Sequence, residues 1–281
     1  MEITKVLGPT IMTGTSEVDL GGSGARLKAP CNGSILAIKI EMARAGVATT
    51  LQADTCVVRL KSNTIPVVPF EALAQPINAG TGAEITPYKD ESEWQPVNAP
   101  CKVGDELQIT GQEDIAETVH PWVSVTVMFA DYVATPQYHS QIGTVTAFGA
   151  AAQEYKMTTP MSIVGAKWIK DIYGIAWEVT GASGKGCIYK YRLSSTLFKH
   201  DGSRAGLPAL AGMGDIEFNG SFIPGFLSAG TTADSIADRL THIKFPKDGI
   251  PIDTPAIIDC YAAASVAFNA AGYFNVQIVW T

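Results

Sequence analysis

Two stretches with the same apolar spacing decide the fold, Ser34-Ile-Leu-Ala-Ile-Lys-Ile-Glu41 and Asp171-Ile-Tyr-Gly-Ile-Ala-Trp-Glu178. They lie 137 residues apart (178 − 41). Ile35 aligns with Ile172, and small residues and then a second strand-like segment follow each stretch. Apolar residues at short, regular spacing between turn formers are typical of β-strands. We therefore expect two strands in corresponding positions of two related halves.

Two further echoes follow in the same order. One aligns Thr55–Leu60 with Gly186–Leu193 and places Cys56 against Cys187, 131 residues apart (187 − 56). The other aligns Trp122–Phe129 with Tyr273–Trp280, 151 residues apart (280 − 129). Three echoes in one order indicate an internal duplication. The predicted boundaries are residues 1–133 for the first domain, 134–141 for a linker and 142–281 for the second domain.

Composition favours an all-β protein. Of the 281 residues, 17% are charged and 46% hydrophobic, with 27 Gly and 16 Pro. Such a chain is long enough for two domains, each with its own core. The net charge of −7 argues against a protein that tracks nucleic-acid phosphates. No apolar run reaches the roughly 20 residues of a membrane-spanning helix, and the N-terminus lacks a signal pattern. These features predict synthesis in the cytosol.

Five cysteines, odd in number and without CxxC spacing, predict reduced thiols in the cores. The five are Cys31, Cys56, Cys101, Cys187 and Cys260. Because Cys56 and Cys187 align, we expect each to be buried in its own core.

About eight short strands per half, with turns between them, predict a sandwich or jelly roll in each. Long connections at Glu71–Pro100 and Ser195–Lys247 suit loops at one end of each barrel. Thr231–Ile243 is the one helix pattern, because Thr232 can cap it and Ile236, Leu240 and Ile243 share a face. The predicted fold is two tandem jelly-roll barrels with one short helix in the second.

No motif carries chemistry. Gly181–Gly186 resembles a phosphate loop, but Val179 and Gly186 stand where that loop needs Gly and Ser or Thr. A Ser-His-Asp triad remains open from sequence, although no Gly-x-Ser-x-Gly elbow occurs. The four histidines, His120, His139, His200 and His242, are isolated and do not form a metal triad. We predict no catalytic, cofactor-binding or metal-binding residues, and no enzyme.

Two acidic features and one tryptophan have structural interpretations. Glu41 and Glu178 could form an acid–base pair, but their alignment predicts solvent-facing strand positions instead. The run Asp90, Glu91 and Glu93 lacks the order of a calcium loop and indicates a solvated loop. Trp94, directly after this run, is either a loop anchor or an interface residue.

Two jelly-roll-like copies, low charge and reduced cysteines resemble the double jelly-roll major capsid proteins of icosahedral viruses with an internal membrane. This family implies a virion protein made in host cytoplasm, whose homotrimers form pseudo-hexameric capsomers. Its implied partners are neighbouring capsomers, penton or minor capsid proteins and the internal membrane. The helix at Thr231–Ile243 occupies a position common in that family, whereas Glu71–Gln75 is too short to match it in the first half.

Two questions stay open at this level. The alternative function is a tandem β-sandwich binding module, lectin-like or a receptor-binding spike, which would need exposed aromatic residues in equivalent loops of both copies. The segment before Ala25 has glycines at positions 14, 21, 22 and 24. Since glycine weakens strands, this segment is predicted to be an arm, outside the barrel wall, that touches a neighbouring chain or the inside of the shell. An ordinary first strand is the competing interpretation.

Overall fold

The computed structural model describes residues 1–44, 56–66, 70–74, 94–113, 120–148, 154–156, 161–163, 168–178, 187–195, 215–222, 241–244, 249–251, 256–264 and 272–281. All regular structure in these ranges is β-strand, so the all-β prediction is confirmed. No helix in the described part is long and apolar enough to cross a membrane. The described residues form two compact units, one up to Gln141 and one from Ile142 onward.

The first unit is a two-sheet sandwich. Its strands are β1 (Glu2–Ile11), β2 (Val18–Asp19), β3 (Leu27–Lys28), β4 (Gly33–Arg44), β5 (Cys56–Lys61), β6 (Phe70–Ala74), β7 (Gln95–Cys101), β8 (Glu106–Glu113) and β9 (Pro121–Ala130). One sheet has the order β1-β9-β4-β7. The other has the order β8-β5-β6, with β2 and β3 both pairing with β8. All of these pairs are antiparallel.

The second unit repeats this arrangement. Its strands are β10 (His139–Phe148), β11 (Glu154–Lys156), β12 (Met161–Ile163), β13 (Trp168–Glu178), β14 (Cys187–Ser195), β15 (Asp215–Phe222), β16 (Thr241–Lys244), β17 (Ile250–Pro251), β18 (Ala256–Ala264) and β19 (Gly272–Trp280). One sheet runs β10-β19-β13, with β16 and β17 both pairing with β13. The other runs β18-β14-β15, with β11 and β12 both pairing with β18.

Each unit therefore has the strand order of a jelly roll. We number the strands of each unit from one to eight along the chain and count two segments that pair with the same strand as one strand. The sheets then have the orders 1-8-3-6 and 2-7-4-5 in both units. Strand β10 begins within the first unit, where Ser140 lies opposite Phe70 and its hydroxyl donates to the Glu71 carbonyl at 2.6 Å.

A β-bulge marks the same place in both units. In the first, Ile35 faces Phe129 and Ala37 faces Met128, so Leu36 is the extra residue. In the second, Ile169 faces Trp280 and Asp171 faces Val279, so Lys170 is extra. The bulges align Phe129 with Trp280, as in the third echo, but Ile35 with Ile169, at an offset of 134 (169 − 35) instead of 137. Ile169, Ile172 and Ile175 recur every three residues, which allows a sequence alignment to slip by three.

The core of the first unit is built from the inward faces of both sheets. On β9, Val123, Val125, Val127 and Phe129 are fully buried and alternate with more exposed residues, as the sequence pattern predicts. Other fully buried members of the same cluster are Ile35, Ile38, Val58, Leu107 and Ile109. Burial of such side chains is worth roughly 1.5–3 kcal/mol each relative to exposure, so this cluster is the main source of stability.

The helix predicted over Thr231–Ile243 is wrong at its C-terminal end, because Thr241–Lys244 is strand β16. Ile243 lies opposite Ile172 and Thr241 opposite Gly174, and both β-branched residues suit a pleated ladder. Tertiary pairing with β13 thus overrides the helical spacing. Residues 231–240 lie outside the described ranges.

The N-terminal arm is also wrong, since this segment forms the barrel wall. The ten-residue strand β1 pairs with β9, and Met12 and Leu20 are fully buried. The predicted arm glycines serve as turns with positive φ, at Gly14, Gly21, Gly22 and Gly24. Gly21 donates to the Thr10 hydroxyl at 2.7 Å, which ties the turn to β1. Glycine here permits tight turns between ordered pieces.

Prolines lie in both outer strands of the β1-β9-β4-β7 sheet. Pro9 lies in a register shift of β1, between Leu7 and Thr10. Pro96 and Pro100 lie in β7, opposite Ala37 and Ser34 of β4. Proline lacks an N–H group and is confined to edge strands or bulges, so these positions fit the observed order.

Candidate functional surface

Among the described histidines, His120 contacts a buried carboxylate. His120, just before β9, makes a 2.8 Å hydrogen bond between its Nδ1 and the Glu113 carboxylate. Glu113 is fully buried and also accepts the Gly14 N–H at 3.0 Å. His139 begins β10 and His242 lies in β16, while His200 lies outside the described ranges. In the part of the chain that the structure describes, no three His, Cys, Asp or Glu side chains group as metal ligands.

The predicted solvent-facing position of Glu41 is confirmed. Its side chain is exposed on β4 and lies 3.1 Å from the Lys39 ammonium. Glu178 ends β13, but its side chain lies outside the described part, as do Gly181–Gly186 and the acidic residues Asp90, Glu91 and Glu93. Trp94 precedes β7 and is 40% exposed.

Burial is also confirmed for the described core thiols. Cys56 and Cys101 are buried and are not in disulfides, whereas Cys31 is half-buried. Burial, followed by the nearby Cys31 and Asp105, raises the pKa of Cys101 to about 11. A thiol with such a pKa is almost entirely protonated near neutral pH and reacts slowly.

An ion network covers part of the outer face of the second sheet in the first unit. The Arg59 guanidinium donates to Glu71 at 2.7 Å, to Glu17 at 2.9 Å and to the Gln112 amide oxygen at 2.6 Å. Lys61 also pairs with Glu17. Burial opposes the charged form of Glu17, but the hydrogen bonds and charges of Lys61 and Arg59 outweigh it and lower the Glu17 pKa. The network is partly exposed, so it orients the strands more than it stabilises them.

The β1-β9-β4-β7 sheet presents a different outer face, which we call the apolar face. Residues that lie opposite one another on neighbouring strands form rows across this face. The rows are Thr4, Met128, Ala37 and Pro96; Val6, Thr126 and Lys39; Ser124 and Glu41; and Ile11 with Trp122. Val6 is 60% exposed, Ile11 43% and Trp122 41%. The charges in these rows belong to the Lys39–Glu41 pair, and the exposed Glu2 lies in the adjoining row, opposite Ala130. Exposed apolar residues that lie together on a sheet mark an interaction surface more often than scattered ones do.

Sequence reasoning missed the apolar face. The echo Trp122–Phe129 indicates a strand, but it does not show which residues lie beside Trp122. The exposed partners Val6 and Ile11 lie in the segment that was predicted to be an arm. Only the pairing of β1 with β9 brings them beside Trp122 and Thr126.

Comparison with known proteins gives matches at the level of structure only. No protein-family model and no curated protein sequence matches the chain. The crystal structure of the major capsid protein P2 from bacteriophage PM2 matches with a TM-score of 0.37 and 10% identity, over 100% of this chain and 97% of that one. A chain of the cryo-EM structure of Broad Bean Stain Virus matches with a TM-score of 0.31 and 10% identity, over 100% and 87%. Both matched structures come from viruses.

Proposed function

We propose that this chain is a major capsid protein whose homotrimers form the pseudo-hexameric capsomers of an icosahedral virus shell. The observation that carries the proposal is the repeated strand order, 1-8-3-6 and 2-7-4-5, in both units of one chain. Because each chain has two similar barrels, a trimer contains six similar barrels. Such a trimer approximates six-fold packing while each copy keeps a fixed sequence and fold.

The matched bulges support internal duplication as the origin of this arrangement. Each lies near the start of the third strand of its unit, opposite the end of the last strand. Bulges are retained features and not random defects, so two at the same place favour two copies of one ancestral domain. We keep 1–133 and 142–281 as the proposed copies, with 134–141 as the linker.

The proposed role is structural and not enzymatic. The chain would assemble with itself in the virion after synthesis in host cytoplasm. Neighbouring capsomers, penton or minor capsid proteins and an internal membrane are its proposed partners. A net charge of −7 favours contacts with protein over sequence-independent contacts with packaged nucleic acid.

Native mass spectrometry and electron microscopy of the purified protein test this function. We expect a species of about 89 kDa, three times the 29.7 kDa chain, and hexagonal particles in negative stain. Obligate interfaces commonly bury more than about 2,000 Å², so the trimer should persist at micromolar concentration. A monomer across the micromolar range, with no hexagonal particles, would contradict the proposal.

A further inference from the structure

The outer face of the equivalent sheet in the second unit is buried. In the order β10-β19-β13, the bulge alignment places Val279, Gln277 and Asn275 at the positions of Met128, Thr126 and Ser124. It also places Asp171 and Tyr173 at the positions of Ala37 and Lys39. Relative exposures are 0–1% for the three β19 residues, 7% for Asp171 and 4% for Tyr173.

Polar residues at these buried positions show that the face is built to be covered. Asp, Asn and Gln are rarely buried unless their polar atoms have partners. Asn275 has one in the Thr144 hydroxyl, which donates to its Oδ1 at 2.6 Å. The face is therefore buried in the single chain.

The corresponding apolar face of the first unit stays open in the single chain. We propose that a second copy of this chain covers it, through contacts centred on Val6, Thr126 and Trp122. This proposal rests on the proposed capsid function and names one surface through which copies associate. Covering both faces would bring the two units into similar environments, as six-fold packing of similar barrels requires.

The size of the apolar face fits a protein partner. Four strands spaced about 4.8 Å apart give a width of about 19 Å, and ten residues at about 3.4 Å each give a length of about 34 Å. The resulting flat area of roughly 650 Å² approaches the roughly 800 Å² per partner of a standard stable interface. A flat sheet of this size suits another folded surface better than a single extended peptide.

The charge of the apolar face favours a protein surface over a membrane. Lys39 is the one cation in its rows, and Glu41 lies 3.1 Å from it. Attraction to anionic lipid headgroups requires clusters of basic residues, which these described rows do not contain. Trp122 and Val6 supply the apolar area, and tryptophan is enriched among residues that dominate protein interfaces.

A charge placed on the apolar face tests the proposal. Val6→Glu should raise the dissociation constant for self-association at least tenfold, because the contact would bury an unpaired carboxylate. The matched control is Val103→Glu, at a turn residue with 62% exposure against 60% for Val6. It should leave association unchanged. Sedimentation velocity over a concentration series gives both constants, and thermal melting checks that each variant is folded.

The outcomes separate the proposals. If the wild type assembles and both glutamate variants assemble equally well, the apolar face does not join copies, while the capsid function stands. If the wild type never assembles, both proposals fail. If Val6→Glu abolishes flotation with phosphatidylglycerol vesicles and leaves assembly unchanged, lipid covers this face and the proposal is wrong. Should Val6→Glu fail to fold, Trp122→Ala, which adds no charge, must weaken association or the proposal is overturned.

Discussion

The last strands of the two units hold the same position but differ in exposure. In β9, buried residues alternate with Trp122, Ser124, Thr126 and Met128, which are exposed or half-buried. In β19, the six residues from Asn275 to Trp280 are all buried. The inward residues are apolar in both, because each jelly roll needs a core. The exposure of the outward residues depends on whether other residues cover that side of the sheet. A shared fold therefore fixes one face of a strand and leaves the other free to differ.

The largest loss of stability should come from adding a side chain at Gly33, at the start of β4. A Cβ atom at Gly33 would lie 2.0 Å from the Ala130 carbonyl oxygen and 2.8 Å from the Tyr132 nitrogen. Gly33→Ala should therefore cost about 3 kcal/mol of unfolding free energy, since backbone must move. Amide exchange should show lost protection in β9 and retained protection in β19.

A matched glycine isolates the cause of that effect. Gly22 also has positive φ, at 100°, but a Cβ atom there meets nothing within 4 Å. Gly22→Ala should cost about 1 kcal/mol from backbone strain alone. Equal losses for the two variants in chemical denaturation would show that crowding at Gly33 contributes nothing.

The buried outer face of β19 should be more sensitive than that of β9. Asn275→Ala removes the acceptor of the Thr144 hydroxyl and leaves a cavity, at a cost of about 2 kcal/mol. Ser124→Ala at the equivalent site should cost less than about 0.5 kcal/mol, since its bond to the Leu7 carbonyl is long, at 3.4 Å. Urea denaturation compares the two. A larger loss for Ser124→Ala would break the comparison.

Acid should weaken a contact of Asp19 in the first unit. Hydrogen bonds from the Gln108 amide and the Gly24 N–H, followed by the charge of Arg26, lower the pKa of Asp19 from its ordinary 3.8. A carboxylate whose pKa is lower in the folded state stabilises the protein at pH values above its unfolded-state pKa. This stabilisation is lost as the pH falls through its folded-state pKa. Asp19→Asn should thus cost about 1 kcal/mol at pH 7, and the difference should shrink below about pH 4. Melting temperatures across pH 3–7 test this, and a gap that widened in acid would contradict it.

The smallest effect concerns the two aligned cysteines. Cys56 begins β5 and Cys187 begins β14, the fourth strand of each unit. We expect both thiols to resist labelling in the native protein and to react at once in denaturant. Half-buried Cys31 serves as the faster internal reference. Rapid native labelling of Cys187 alone would show that the two strands are not equivalent in packing.

Alternation in the sequence was sufficient to find strands whose faces differ in environment. The strand-like echo at Trp122–Phe129 is observed as strand Pro121–Ala130, and the echo at Thr55–Leu60 as strand Cys56–Lys61. Both have a buried face that enforces the period of two. The same logic failed at Thr241–Ile243, where three residues carry too little pattern and pairing with β13 decides the structure.

Contacts distant in sequence account for most of what the sequence did not reveal. The glycines before Ala25 predicted an arm, but β9, more than 100 residues away, holds β1 in the sheet through its ladder. The bulges also lack a sequence signal, since the extra residue is a leucine, Leu36, in one and a lysine, Lys170, in the other. Burial of Asn275 and Gln277 depends on what covers β19, and polar residue types in a strand usually indicate an exposed face.

The prolines in the outer strands have a consequence for the proposed assembly of many copies into a shell. An open strand edge is a template for endless cross-β growth, and such fibres compete with closed shells for the same subunits. Pro96 and Pro100 remove N–H donors from β7, and Pro9 interrupts β1. Strand addition is thereby disfavoured at both edges of this sheet. In the proposed capsid, copies then associate through side-chain surfaces, whose geometry can terminate in a closed particle.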